Sequence, residues 1–217
     1  MPGRLSWLGR AACAAVVLVS AGSALARPQL LWTQKVYTGD YDYGEGVGCD
    51  GNGHAYLGGS LWGSSPYEGF LAQFEPNGTP QWLNTVQAGA DWSEQGHAVA
   101  ADSLGNIWLA GHFEDHQSTY DGFVYQFDAA GNLTHDLRLN MSFSSVNDVC
   151  ADGGGSAYIV ASANGDGYVA KVTNGATNWG RSFATGAYGE GLGVACDAAG
   201  NVYVTGHERV NYGGVVR

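Results

Sequence analysis

The chain has 217 residues, with 20 acidic side chains against 9 basic ones and a net charge of −11. That balance excludes electrostatic binding to nucleic acid, which needs a basic footprint, and attraction to an anionic membrane surface. Apolar residues make up 45 %, enough for a packed core, and 35 glycines, about twice the usual share of roughly 7 %, occur without a Gly-X-Y period and so point to many tight turns.

Residues 1–26 read as a secretory signal peptide. Arg4 and Arg10 give a positive start, Ala11 to Ala21 is an apolar run, and Ala24-Leu25-Ala26 is a small-x-small cleavage signal. The run is about half the roughly 20 residues that a membrane span needs. No other long apolar run follows, so a secreted or periplasmic protein without membrane insertion is expected. Losing the leader removes two Arg and Cys13 and no acid. Cys49, Cys150 and Cys196 remain: an odd number, none in a CxxC pair, all in small-residue apolar strands. Buried free thiols are therefore expected, rather than a disulfide framework or a zinc site.

From residue 27 onward the chain repeats itself. Strand 31–37 (LWTQKVY) comes first. Then CDGNGHAYLGGS (49–60), ADSLGNIWLAGH (101–112), ADGGGSAYIVAS (151–162) and CDAAGNVYVTGH (196–207) align, with Asp50, Asp102, Asp152 and Asp197 at spacings of 52, 50 and 45. EGFLAQFEPNG (68–78), DGFVYQFDAAGN (121–132) and DGYVAKVTNG (166–175) form a second motif. Trp strands at 31–39, 81–89 and 178–186 form a third, and the matching segment 135–142 has lost its Trp. In the first unit the strands are expected at 44–50, 54–60, 68–75 and 80–88, bounded by turn residues. No sustained helical period with caps follows residue 27.

Four short strands per unit at a period of 40–50 residues is the signature of an all-β propeller of four-stranded antiparallel blades. The expected blades are 44–88, 95–141, 145–185 and an incomplete 190–217, with 31–37 as an outer strand. The small residues of GVGC, HAVAA, NDVCA and GVAC suit the innermost strand, and the Trp strands suit the rim. Each repeated Asp is expected to accept backbone N–H groups in its turn. Two endings stay open: a truncated copy of a larger propeller, or a four-bladed ring in which 31–37 closes beside 213–217.

These units resemble the secreted β-propeller repeat family often called SBBP repeats, and more loosely NHL-type repeats. The pattern V-x-x-D-x-x-G-N-x-Y-V-x-G has its nearest copy at 194–206, followed by G-F-V-x-x-F-D-x-x-G and W. The departures are Gly155-Ser156, where Gly-Asn is expected, and the missing Trp; a looser rim is expected there. The resemblance implies an extracellular propeller and leaves the ligand open, because fold does not fix function.

Connections between strands two and three, and between four and the next one, are the long ones. They hold Tyr41, Asp42, Tyr43, Trp62, Tyr67, Trp92, Glu94, Glu114, Tyr188 and Glu190 on one face. Function tends to sit on loops held by a rigid scaffold, so Tyr41, Tyr43, Trp62, Tyr67, Trp92 and Tyr188 are the candidate ligand-binding residues. Aromatic faces and carboxylates suit a glycan, a cationic group or a protein surface; loop-on-loop packing is the plainer role for the same side chains. His112-x-Glu114-Asp115-His116 and Asp40-x-Asp42-x-Gly44-Glu45 are faint metal patterns, without the helix or the later Glu such sites need. No metal and no cofactor is expected. Asn77, Asn132 and Asn140 open glycosylation sequons. The expected function is a secreted binding or interaction module rather than an enzyme; the alternative is a carbohydrate-active hydrolase or lyase with an acidic site near the axis.

Overall fold

The structure, a computed structural model, describes residues 14–20, 29–36, 41–62, 66–87, 89, 92–114, 119–141, 144–183, 188–197 and 199–209. Every regular element among them is a strand. Three complete blades follow one another as antiparallel meanders. Blade one holds β3 (Asp42–Cys49), β4 (Ala55–Leu61), β5 (Glu68–Phe74) and β6 (Pro80–Val86). Blade two holds β7 (Ser93–Ala101), β8 (Ile107–Glu114), β9 (Tyr120–Phe127) and β10 (Leu133–Arg138). Blade three holds β11 (Ser145–Ala151), β12 (Ser156–Ala163), β13 (Asp166–Thr173) and β14 (Ala176–Phe183). A pair, β15 (Tyr188–Cys196) and β16 (Val202–Arg209), begins a fourth.

At the other end β1 (Ala14–Ser20) pairs antiparallel with β2 (Gln29–Val36). The run read as part of a removable leader is thus a strand in the uncleaved chain. A stretch rich in Val and Leu takes an edge whose backbone groups need partners. The expected continuation of blade four, and the proposed closure beside 213–217, lie outside the described residues.

The second strand of each complete blade is buried along nearly its whole length. Blades pack face to face, so both faces of this strand are covered and no alternation of apolar and polar is needed. Inner strands approach one another backbone to backbone. A Cβ on Gly46 would lie 2.7 Å from Ala98 Cα, and one on Gly48 2.9 Å from Val99 O. Each inner strand also carries a bulge, between Gly44 and Gly46, Gly96 and Ala98, Val146 and Asp148, and Gly191 and Gly193. The extra residues are Glu45, His97, Asn147 and Leu192. A bulge re-aims its side chain, and here it does so once per blade.

Three further ties recur from blade to blade. The start of each inner strand donates to the start of the preceding blade's third strand: Glu94 N to Tyr67 O at 3.1 Å, Ser144 N to Tyr120 O at 2.9 Å and Gly189 N to Gly165 O at 2.7 Å. At the rim, Trp32 Nε1 donates to Pro76 O at 2.9 Å and Trp82 Nε1 to Ala129 O at 3.3 Å, each ring lying over the next blade's turn glycine, Gly78 or Gly131. In β10, which lacks the Trp, His135 covers Gly175 instead. The rim contact therefore survives where a looser one was expected. Inside each blade the repeated Asp accepts from the backbone N–H groups two and four residues on, for Asp102 at 2.9 Å each from Leu104 and Asn106. The same pattern holds at Asp50, Asp152 and Asp197. Where Ser156 replaces the expected Asn, Lys171 Nζ reaches Asp152 Oδ2 at 3.2 Å, supplying from the third strand the donor that the turn lost.

The three described cysteines are unpaired as expected, but none is fully buried: Cys49 is exposed, and Cys150 and Cys196 are half-buried. Cys49 stands just before its Asp, as Cys196 does, and faces back along the array. No inner strand of a preceding blade covers it among the described residues.

Replacing Asp102, which is buried, by Ala leaves two backbone N–H groups and the Asn106 amide without their acceptor. The expected loss is about 1–3 kcal/mol of unfolding free energy, read by denaturant titration. Asp197→Ala, at an exposed copy of the same turn, should cost clearly less; equal losses would show that the turn, not its burial, sets the cost.

Candidate functional site

Among the described residues the six candidate aromatics divide into three places. Tyr41, Tyr43, Trp62 and Tyr67 gather on blade one. Trp62 N donates to Tyr41 O at 3.0 Å and lies 3.3 Å from Asp42 Oδ1, which fixes the loop leaving β4 against the start of β3. Trp62 then stacks on Tyr67, with ring centroids 4.1 Å apart and planes 15° apart, and Tyr43 meets Trp62 edge-on at 5.3 Å. Tyr67 is held from the next blade, its N 3.4 Å from Ser93 Oγ and its O accepting from Glu94 N. Tyr41 and Tyr43 are exposed, while Trp62 and Tyr67 are half-buried. The result is an aromatic ledge whose rings are pre-set by backbone contacts.

Trp92 belongs to different surroundings. It stacks on Phe113 at 4.9 Å, and the Arg138 guanidinium lies 5.6 Å from the Trp92 ring and 5.3 Å from the Phe113 ring. Phe113 thus covers one face of Trp92, and the guanidinium, about equally far from both rings, stands at the side of the stack inside blade two. Tyr188 stands on the fourth blade, where its hydroxyl donates to Glu190 Oε1 and its ring lies 6.1 Å from that of His207. The hydroxyl bond to Glu190 holds the Tyr188 proton and raises its pKa. Two carboxylates counted on the acidic loop face are in fact buried: Asp42 is 4 % and Glu94 0 % exposed. Each lies at the start of an inner strand and is drawn under the loop it anchors.

Sequence reasoning missed a polar cluster nearer the axis. The bulge residue His97 and the end of β8, His112, meet at 4.8 Å between ring centroids. Ser145 Oγ lies 3.3 Å from His97 Nδ1 and 3.5 Å from His112 Nδ1. His97 Nδ1 is 3.2 Å from Val146 O, and its Nε2 is 3.8 Å from Glu45 Oε2 on blade one. A serine, a histidine and a carboxylate in a row suggest nucleophilic chemistry, but the next blade explains them otherwise. Asn147, the bulge residue there, donates to Gly191 O at 2.7 Å and to Ser162 Oγ at 3.0 Å. His97 and Asn147 thus make the same tie to the following blade, and His97 Nδ1–H is spent on Val146 O. The available signal was a spacing: bulge and strand-two residues stand 15 apart as Glu45/Ser60, His97/His112, Asn147/Ser162 and Leu192/His207.

Of the two faint metal patterns, Asp40, Asp115 and His116 lie outside the described residues. Among the described residues no group of three His, Cys, Asp or Glu is placed to hold a metal ion, and no helix is long and apolar enough to cross a membrane.

No family model and no curated protein matches the chain. Among solved structures it is similar to a Dos1 propeller, with a TM-score of 0.54 and 11 % identity over 81 % of this chain and 44 % of that one. It is also similar to a subtype N11 neuraminidase-like protein (flat-faced bat, H18N11), with a TM-score of 0.47 and 16 % identity over 76 % and 45 % of the two chains. The chain spans less than half the length of either. The blades described above and the first of these similarities define the class: the chain is a β-propeller. At 11 % identity the likeness concerns the fold alone.

Burial, and then the nearby His97, lower the pKa of His112 to about 4, and Ser145 is placed to donate to its unprotonated Nδ1. An unfolded histidine takes up a proton near pH 6.5. Stability is therefore unaffected by this group above about pH 7, and falls as the pH drops from about 6.5 towards about 4, by up to roughly 1.4 kcal/mol per pH unit. The neighbouring charge-bearing groups, His97, Glu45 and Glu114, stay in place in His112→Gln. Urea titrations across this range should show a flatter profile for His112→Gln, and an unchanged profile would remove His112 as the cause.

Proposed function

We propose that this propeller is a member of the SBBP repeat family, exported through its N-terminal leader, and that it acts as a binding module for a glycan or a protein ligand. The observation that carries this reading is the ledge of Tyr43, Trp62 and Tyr67 with Tyr41 beside it. Two of these rings are exposed, yet the backbone on which they stand is fixed by hydrogen bonds to blades one and two. Pre-set aromatic surface loses little conformational freedom on binding, which favours a ligand that offers a flat apolar face. A pyranose ring presents such a face, with hydroxyl groups at its edge for the Tyr hydroxyls. Tyr188, beside Glu190 and His207, would be a separate contact on blade four. The hydrolase alternative gains less support, because the Glu45–His97–Ser145 row is accounted for by contacts that Asn147 repeats.

The test is a glycan array probed with the full chain, followed by titration of any hit. Trp62→Ala is expected to weaken binding about two- to fivefold, the equivalent of roughly 0.5–1 kcal/mol for one exposed aromatic, without changing the circular dichroism of the strands. Trp92→Ala should lower the melting temperature and leave affinity alone, since Trp92 is half-buried in a stack with Phe113 beside Arg138. Binding that survives loss of Trp62 but not of turn residues such as Asn77 or Asn132 would place the site on the opposite face.

A further inference from the structure

We propose that Cys150 and Cys196 form a redox pair that closes into a disulfide between the third and fourth blades, leaving Cys49 out. Inner strands β11 and β15 lie side by side and are laced in register. Asn147 Nδ2 donates to Gly191 O at 2.7 Å, and Val194 N donates to Asp148 Oδ2 at 2.8 Å. Two residues on from the Asp148–Val194 contact, on both strands, stand Cys150 and Cys196. Their side chains pack on the same cluster of Tyr158, Val160 and Val194, and Cys196 Sγ donates to Ala151 O at 3.2 Å.

The places of the two residues in the repeat explain why they meet. Successive residues of an inner strand face opposite neighbours. Cys150 stands two before its Asp and faces forward, as Gly48 does against Val99 in blade one. Cys196 stands one before its Asp and faces back. Cys49 has the position of Cys196 and so faces away from blade two, and the pair of positions equivalent to Cys150 and Cys196 between blades one and two is held by Gly48 and Ala101.

Cys196 is held against Ala151, the residue after Cys150, and burial raises the pKa of each thiol. Either thiol can open the exchange once it has lost its proton. The oxidant is a low-molecular-weight disulfide such as oxidised glutathione. The first protein thiolate attacks one of its sulfurs, forming a mixed disulfide and releasing one thiolate; the other cysteine then displaces the second. Two protein thiols become one disulfide, and the oxidant takes two electrons and leaves as two thiols.

The experiment incubates the folded full chain with oxidised glutathione, alkylates the remaining thiols and digests with trypsin without reduction. The expected product links peptide 139–171, which carries Cys150, to peptide 182–209, which carries Cys196. The free-thiol count falls by two, and dithiothreitol reverses both changes. The melting temperature should rise on oxidation, because the cross-link removes loop freedom from the unfolded chain, and Cys196→Ala should abolish that rise while Cys49→Ala keeps it. Separate alkylation of both peptides while the strand signal in circular dichroism is native would overturn the proposal. So would a link to peptide 36–138, which carries Cys49, or a cross-linked dimer.

Discussion

The closeness of the inner strands governs the rest of the architecture. Near the axis, β3 and β7 approach so nearly that a methyl group on Gly46 would run into the Ala98 backbone, and one on Gly48 into Val99 O. Only glycine accepts such an approach without displacing a neighbour. The same crowding recurs at Gly191, where an added Cβ would lie 2.2 Å from Val160 Cγ2. Blades are therefore narrow at the axis and broad at the rim, where Trp32 and Trp82 have room to lie over the next blade's turns. The Gly-rich composition thus serves two needs: positive φ in the turns and contact at the axis.

Once the inner strands are this close, their polar backbone and side-chain groups must find partners across the blade boundary, since an unpaired buried polar group is costly. The bulge supplies the means. It turns His97 and Asn147 toward carbonyls of the following blade, Val146 O and Gly191 O. In blade one the bulge residue is Glu45, which has no proton to give a carbonyl, and His97 of the next blade turns its Nε2 toward it instead. Strand-to-strand hydrogen bonds build a blade; bulge residues join one blade to the next.

Much of this order was legible in the sequence because it is set by short-range chemistry. The Asp-x-x-Gly turn needs only an acceptor and a residue tolerant of positive φ, and Gly53, Gly105, Gly155 and Gly200 all have φ of +85° to +87°. Strand limits in blade one fell within two residues of those expected. The bulges were not legible, because a one-residue shift leaves the apolar pattern of a small-residue strand unchanged. Nor was the difference between Trp62 and Trp92. Both precede or follow a strand in a polar loop, and only the partners brought in from elsewhere, Tyr67 and Tyr43 for one, Phe113 and Arg138 for the other, set them apart. The burial of Asp42 and Glu94 was hidden for the same reason.

The aromatic six residues after each repeated Asp makes this dependence on neighbours plain. Tyr56, Trp108 and Tyr158 are 1 %, 0 % and 4 % exposed, whereas Tyr203, in the best-matching copy of the motif, is 60 % exposed. The turn and the strand are alike in all four; in the first three, a third strand pairs with the strand that bears the aromatic, and a neighbouring blade packs on it. Burial in this fold is therefore a property of the pair of blades rather than of the blade. The ledge on blade one follows the same rule from the other side. Tyr67 is held by Ser93 and Glu94 of blade two, so the aromatic ledge is made rigid by the neighbouring blade, while Tyr41 and Tyr43 stay exposed at its edge.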